Sequence, residues 1–175
     1  MSDKLRLKRE GPENVFWAEP SQLRELEKMR EFLETASSQR GGASVRICFH
    51  ASEAASLHQM LILHQVGSYV RPHKHPNSDV VYVSLRGCAE ILFFTDDGSL
   101  EKILSLPSLS ESLNPPSVMI IPRDQYYMPR VVAGPFLFLE ITSGPFLPSS
   151  TVFAHWAPER NAIQAQVDEF LSRID

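Results

Sequence analysis

The first groups in this sequence with chemistry to do are two imidazoles one residue apart. His73-Lys74-His75 sits in GSYVRPHKHPNSDVVYVSLRG, which runs from Gly67 to Gly87. Residues i and i+2 of a strand face the same side, so His73 and His75 present two rings side by side into one cavity. Two neutral imidazoles are the start of a transition-metal site, and imidazole, titrating near neutrality, also suits a general base. Pro72 and Pro76 bracket the pair, so its strand is expected to be short or at an edge. Pro76-Asn77-Ser78-Asp79 reads as a turn, with Val80 to Leu85 as the following strand. A His-x-His pair on its own equally describes a polar hairpin edge with solvated histidines. The remaining chain has to supply the partners.

Several residues offer themselves. Arg71 shares strand parity with both histidines, and its planar fork suits an anionic ligand as well as it suits a surface ion pair. Glu140 lies in an otherwise apolar run, Phe136 to Ile141, where a carboxylate needs a partner; Arg71 and Arg46 are the candidates. Tyr69 and Tyr82 read as core or rim residues. His50, His58 and His64 fall on strands without ligand spacing. Cys48 and Cys88 read as small buried hydrophobes, and Trp156 as a packing anchor.

The elements that must position these groups follow from periodicity. Ser21 to Ser37 has Leu23, Leu26, Met29, Phe32, Leu33 and Ala36 at helical spacing, with Ser21 as N-cap. From Ser44 the period becomes two: Val45, Ile47 and Phe49 alternate with Arg46, Cys48 and His50. Strand runs follow at Leu57 to Val66, Ser68 to Arg71, Val80 to Leu85, Ala89 to Phe94, Leu100 to Leu106, Val118 to Ile121, Tyr126 to Val132 and Phe136 to Thr142. Asp96-Asp97-Gly98, Asn114-Pro115-Pro116 and Ala133-Gly134-Pro135 punctuate them. Many short strands with frequent turns imply an all-β sandwich or barrel. A last helix is expected from about Pro158 to Ile174, with Ile163, Val167, Phe170, Leu171 and Ile174 on one stripe. The chain divides into an arm and helix (1–43), a barrel (44–143) and an aromatic wrap with the final helix (144–175), as one structural domain overall.

Composition bounds the function. A chain of 175 residues fits one domain. Its net charge of −4 gives no reason to expect a nucleic-acid partner. No apolar run approaches the roughly 20 residues needed to span a membrane, and the first residues lack the apolar region of a signal peptide. Two cysteines are too few for a disulfide framework. A cytoplasmic protein with a small-molecule ligand is the expectation.

Gly67, His73, His75 and Gly87 resemble motif 1 of the cupins: Gly, five residues, His-x-His, three or four residues, Glu, six residues, Gly. Val80 stands at the Glu position, with Asp79 one residue early. Ile121-Pro122-Arg123-Asp124-Gln125-Tyr126-Tyr127 is similar to motif 2, with Asp124 in place of Gly and Tyr127 in place of the last His. RICFHASEAASLHQMLILHQVGSYVRPHKHP, LRGCAEILFFTDDG and EITSGPFLPSSTVFAHWAPE look like the WbuC-type cupins, found near O-antigen sugar genes, and the resemblance covers Ser21 to Glu159. It implies a double-stranded β-helix (jelly-roll) barrel with one N-terminal and one C-terminal helix, often paired as a homodimer. It also implies a divalent transition metal (Fe, Ni, Mn or Zn) on two His, one Glu and one His. Carried across, the metal set is His73, His75 and Tyr127, with Asp79 swinging in across the turn through a bulge. A metal-free cavity lined by His73, His75, Tyr82 and Tyr127 is the second outcome. There, sugar-nucleotide epimerase or isomerase chemistry would use a His base and Tyr127 as acid. A filled barrel acting as a scaffold is the third. Whether Val80, Tyr82 and Tyr127 plug the cavity discriminates the last two.

Overall fold

The computed structural model describes residues 5–9, 12–109 and 117–174, so the expected breaker Asn114-Pro115-Pro116 lies outside the described residues. Ten strands are present among them: β1 (Leu7–Arg9), β2 (Val15–Ala18), β3 (Val45–Cys48), β4 (Leu57–His64), β5 (His73–Lys74), β6 (Val80–Phe94), β7 (Leu100–Pro107), β8 (Val118–Ile121), β9 (Tyr126–Ser143) and β10 (Val152–Phe153). Two helices, α1 (Leu26–Ser38) and α2 (Gln164–Ser172), flank them.

The long strands β6 and β9 organise everything else. They pair antiparallel along their whole length, from Val80 opposite Thr142 to Phe94 opposite Tyr126. Halfway along, their register shifts between Ser84 and Ala89, and there both strands turn from one sheet into a second. The first sheet carries β1, β2, β3, β4, the second half of β9, the first half of β6, and β8. The second carries β10, β5, the first half of β9, the second half of β6, and β7. This is the cupin-type double-stranded β-helix expected from the sequence. What reads locally as four strands separated by Gly87 and by Ala133-Gly134-Pro135 is two continuous strands with a shared corner. Gly87 makes that corner possible. Its φ is +77°, and a Cβ there would meet Pro135 O at 2.4 Å and Ala133 O at 2.9 Å.

Strand alternation sorts the side chains into layers. Met60, Ile62, Val80, Tyr82, Ile91, Phe93, Tyr127, Phe136 and Phe138 fill the space between the sheets. The opposite face of the first sheet, with Val45, Ile47, Leu61 and Leu63, packs under Met29, Leu33 and Ala36 of α1. The opposite face of the second sheet, with Leu92, Phe94, Tyr126 and Met128, packs under Phe170 of α2. Trp156 is the anchor of this last layer, 5.2 Å from the Phe94 ring and donating its indole N–H to Asp96 O at 3.1 Å.

Some boundaries differ from the sequence reading. Pro20 to Glu25 forms a 3-10 turn, so α1 begins at Leu26 with no side-chain cap, and Ser21 caps nothing. The N-terminal arm contributes β1 and β2 to the first sheet. Ser68 to Arg71 is not a strand, and α2 begins six residues later than expected because 158–163 is irregular. No described helix is long and apolar enough to cross a membrane.

Replacing Gly87 by Ala forces a Cβ onto two backbone oxygens at a positive φ. The substitution is expected to lower stability by about 2 kcal/mol or more in a urea titration. Gly41→Ala, also at positive φ but with nothing within 4 Å, should cost less. Equal effects would show that the corner relaxes freely.

Candidate functional site

The histidine strand β5 is two residues long because Pro72 and Pro76 leave it few amides to donate. It is threaded between β9 and β10: His73 lies opposite Tyr127 on one side and opposite Phe153 on the other. Directly opposed residues share a face, so one row crosses the second sheet from Phe153 through His73 and Tyr127 to Phe93. Burial rises along it. Phe153 is 53% exposed, His73 partly buried, and Tyr127 and Phe93 each 1% exposed. The row therefore runs from a mouth into a closed interior.

The two imidazoles share this face, as their spacing requires. Their ring centroids are 5.4 Å apart and nearly perpendicular, and both sit against Tyr127, at 4.6 Å and 6.3 Å. Lys74, between them, points to the other face. There it bridges Asp96 and Asp124 at 3.1 and 2.9 Å and lies 4.6 Å over the Tyr126 ring, pinning the strand from outside.

Each imidazole is held by one carbonyl. His73 Nδ1 lies 2.8 Å from Arg71 O, and His75 Nδ1 lies 2.8 Å from Ser150 O. A carbonyl only accepts, so Nδ1 carries the proton in both rings and each neutral ring keeps its lone pair on Nε2. A carbonyl fixing the tautomer in this way is a common support for a metal-ligating or proton-accepting histidine. Burial pushes the pKa of His73 down to about 4; the Arg71 carbonyl opposes this, and the nearby charges of His75 and Arg46 add to it. His73 is thus neutral at physiological pH.

Tyr127 and Tyr82 are both buried, and the Tyr82 hydroxyl donates to Tyr127 Oη across 3.5 Å. Burial, with the negative charge of Glu140 nearby, pushes both phenols well above the usual tyrosine range. Tyr127 is therefore a protonated phenol. Glu140 pairs with neither Arg71 nor Arg46 among the described residues; it lies opposite Tyr82 in the register, and its charge helps to raise the Tyr82 pKa. Arg71 donates from Nε and Nη2 to Ala154 O at 3.2 and 2.8 Å and stacks over the Phe153 ring at 5.6 Å, so its fork grips backbone.

Asp79 does not swing in. It stays at the surface, accepting the backbone N–H of Arg123 at 2.9 Å and Arg123 Nε at 3.2 Å, and these contacts hold its pKa below the usual carboxylate range. The register is unbroken from Val80 to Ser84, and Val80 is 1% exposed in the interior. The second motif keeps its backbone without its ligand: Asp124, where the motif has Gly, takes a left-handed φ of 61° and donates its N–H to His75 O at 2.9 Å.

These residues do not fit a resident metal ion. Open metal sites ordinarily use three protein ligands, often including an anion. Here there are two imidazoles and a protonated, buried phenol, and no group of three His, Cys, Asp or Glu side chains among the described residues could hold an ion.

Two further polar groups face the space between the sheets, and sequence reasoning passed over both as site residues. Arg46 on β3 and His64 on β4 face the same interior, and the charge of Arg46 acts on both His64 and His73. His64 is buried, with Nδ1 2.7 Å from Ser44 Oγ, and burial takes its pKa down to about 3. Strand parity, which puts Arg46 beside Cys48 and His64 beside Ile62, was the available signal.

Residues 27–106 match a family described as a domain of unknown function (DUF6016). No curated protein matches. Among solved structures, an uncharacterized conserved protein with a double-stranded β-helix domain from Klebsiella pneumoniae is 14% identical, with 65% of this chain and 80% of that one covered and a TM-score of 0.49. A protein of unknown function from Streptococcus pyogenes is 14% identical, with 61% and 78% covered and a TM-score of 0.46. The oxalate decarboxylase of Lactobacillus farciminis, in a formate complex, is 20% identical over 57% of this chain, with a TM-score of 0.45, and the chain spans 27% of that protein's length. The architecture rests on the chain's own strand register.

Burial holds His50 near 4, as it does His73, and His64 near 3, all below the ordinary 6.5. Depressed values mean that the unfolded chain binds more protons between about pH 6.5 and 4. Stability should therefore be full above about pH 6.5 and fall as pH drops through that window. Urea midpoints should decrease from about pH 7.5 to about pH 5; a flat profile would contradict the burial of these neutral rings.

Proposed function

We propose that this chain is a small-molecule-binding cupin of the WbuC type whose divalent-metal site is degenerate. The observation that carries the reading is the paired tautomer: both Nδ1–H groups are tied to carbonyls, which leaves two Nε2 acceptors at a partly open mouth. Two imidazole acceptors in fixed relation suit a ligand with hydroxyl donors, as a sugar-related metabolite has. They do not suit an ion that needs an anionic third ligand.

The scaffold reading also has an observation behind it. Val80, Tyr82 and Tyr127 are 1%, 2% and 1% exposed, so the interior is plugged. The two readings meet at the mouth. A ligand seats against His73, His75 and Phe153, and the packed aromatics behind them form its floor. Epimerase or isomerase chemistry is less favoured, because Tyr127, the candidate acid, is sealed beneath His73. A ligand would reach its hydroxyl only if the aromatic plug opened.

Elemental analysis of untagged protein, wild type beside His73→Ala/His75→Ala, tests the metal half of this reading. Both proteins are expected to carry far less than one equivalent of iron, nickel, manganese or zinc. A near-stoichiometric metal in the wild type that disappears in the double variant would overturn it. The binding half is tested by screening hydroxylated small molecules by NMR. Responses at the two imidazoles should vanish in His75→Ala.

A further inference from the structure

Phe153 is an exposed aromatic residue beside the histidine pair. Exposed apolar side chains are common on any protein and mean little on their own. Phe153 is singled out by where it stands and how firmly it is held. Of the two exposed phenylalanines among the described residues, Phe146 and Phe153, the second is the one whose ring meets a histidine of the pair. The register sets it opposite His73, and the two ring centroids are 6.0 Å apart with their planes tilted by 53°. Arg71 lies over the ring at 5.6 Å, and the side chain is still 53% exposed. The backbone on either side is tied down: Val152 pairs with Lys74, Ala154 N–H donates to Pro72 O at 2.9 Å, and Ala154 O accepts from both Arg71 Nε and Nη2. A phenyl ring has two side-chain torsions, so one held in this way offers apolar area to a ligand at little further entropic cost.

The mouth therefore has two chemically different walls. His73 and His75 present imidazoles whose centroids are 5.4 Å apart, and Phe153 presents carbon. An open-chain polyol answers the first wall, but it carries hydroxyls along its whole length and has no apolar face to lay on the second. A saturated hydroxylated ring answers both, with hydroxyls around its rim and C–H groups on its faces. A flat aromatic base would stack equally well, but it lacks the hydroxyl donors that the imidazole acceptors call for. We infer that Phe153 is the stacking platform of this mouth and that the ligand is a hydroxylated ring of the pyranoside kind, an inference that deepens the histidine-pair reading above and rests on it.

Matched ring and open-chain probes test it. The methyl β-glycosides of glucose, galactose and mannose are titrated into the full chain beside sorbitol, galactitol and mannitol, and binding is followed by NMR of protein and ligand. At least one glycoside should bind the wild type about tenfold or more tighter than its open-chain counterpart. The C–H protons of one face of that glycoside should move upfield in the ring current of Phe153. Phe153→Leu should cut the preference to about threefold or less and abolish the upfield shift, whereas Phe153→Trp, which keeps an aromatic face, should retain both. Equal loss in the Leu and Trp variants would mark Phe153 as a packing residue and overturn the inference. Equal binding of glycosides and polyols by the wild type, lost in His75→Ala, would sink the platform and leave the histidine reading standing. A ring preference that persists in His75→Ala and vanishes in Phe153→Leu would keep the platform and remove the histidine reading. Failure of every glycoside to bind overturns the inference.

Discussion

The site depends on two hydrogen bonds from imidazole Nδ1 to backbone carbonyls, and the second of these comes from far along the chain. Ser150 O, which orients His75, belongs to the segment that leaves the end of β9 and returns as β10. That segment is tied down along its length. Gly144 N–H donates to Ser56 O and Phe146 N–H to Glu53 O at its start; Ala154 N–H donates to Pro72 O at its end, with Arg71 gripping Ala154 O. Gly144 passes so close to the β3–β4 connection that a Cβ would meet Ala55 O at 2.0 Å. The histidines are thus presented by a two-residue strand that would have little structure of its own without this strap on one side and β9 on the other. Lys74, clamped by Asp96 and Asp124, completes the fixation from the outer face.

The frame around the histidine pair is firmly held, and the side chains it presents are two imidazoles with Val80 and Tyr127. The turn geometry of the second motif persists at Asp124, and the histidine pair keeps its tautomers. Against the cupin pattern that the sequence resembles, Val80 and Tyr127 stand where a carboxylate and a third imidazole would be expected. Replacing a carboxylate by an apolar side chain removes an anion that an unoccupied site would otherwise leave buried and unpaired. Tyr127, Tyr82 and Phe138 pack together in the interior of the barrel. His73 and His75 stay partly exposed, while His64 is buried and Arg46 turns onto Met60 Sδ.

Much of this was legible in the sequence, for identifiable reasons. Period-two alternation fixed the all-β class, and the His-x-His spacing placed both rings on one face, because strand parity is a local property. The corner was not legible. Gly87 and Ala133-Gly134-Pro135 look like strand ends, and only their mutual close approach shows that β6 and β9 bend together there. The same limit explains Asp79 and Arg71. Each has the right type near the right place, but Arg123 and Ala154, distant in sequence, claim them first. Arg46 was read as a candidate partner of Glu140; that it meets Met60 Sδ instead is a contact no spacing rule reports.

The most direct test of the account is a long-range proton–nitrogen NMR spectrum of the imidazole rings at about pH 7.5, with His73 and His75 assigned by substitution. The account predicts that the Nδ1–H tautomer is the one populated in both rings, held by Arg71 O and Ser150 O. A proton resident on Nε2 of either ring, or rapid averaging between the two tautomers, would mean that Arg71 O and Ser150 O do not hold the pair, and the reading of this mouth as a prepared binding site would fail.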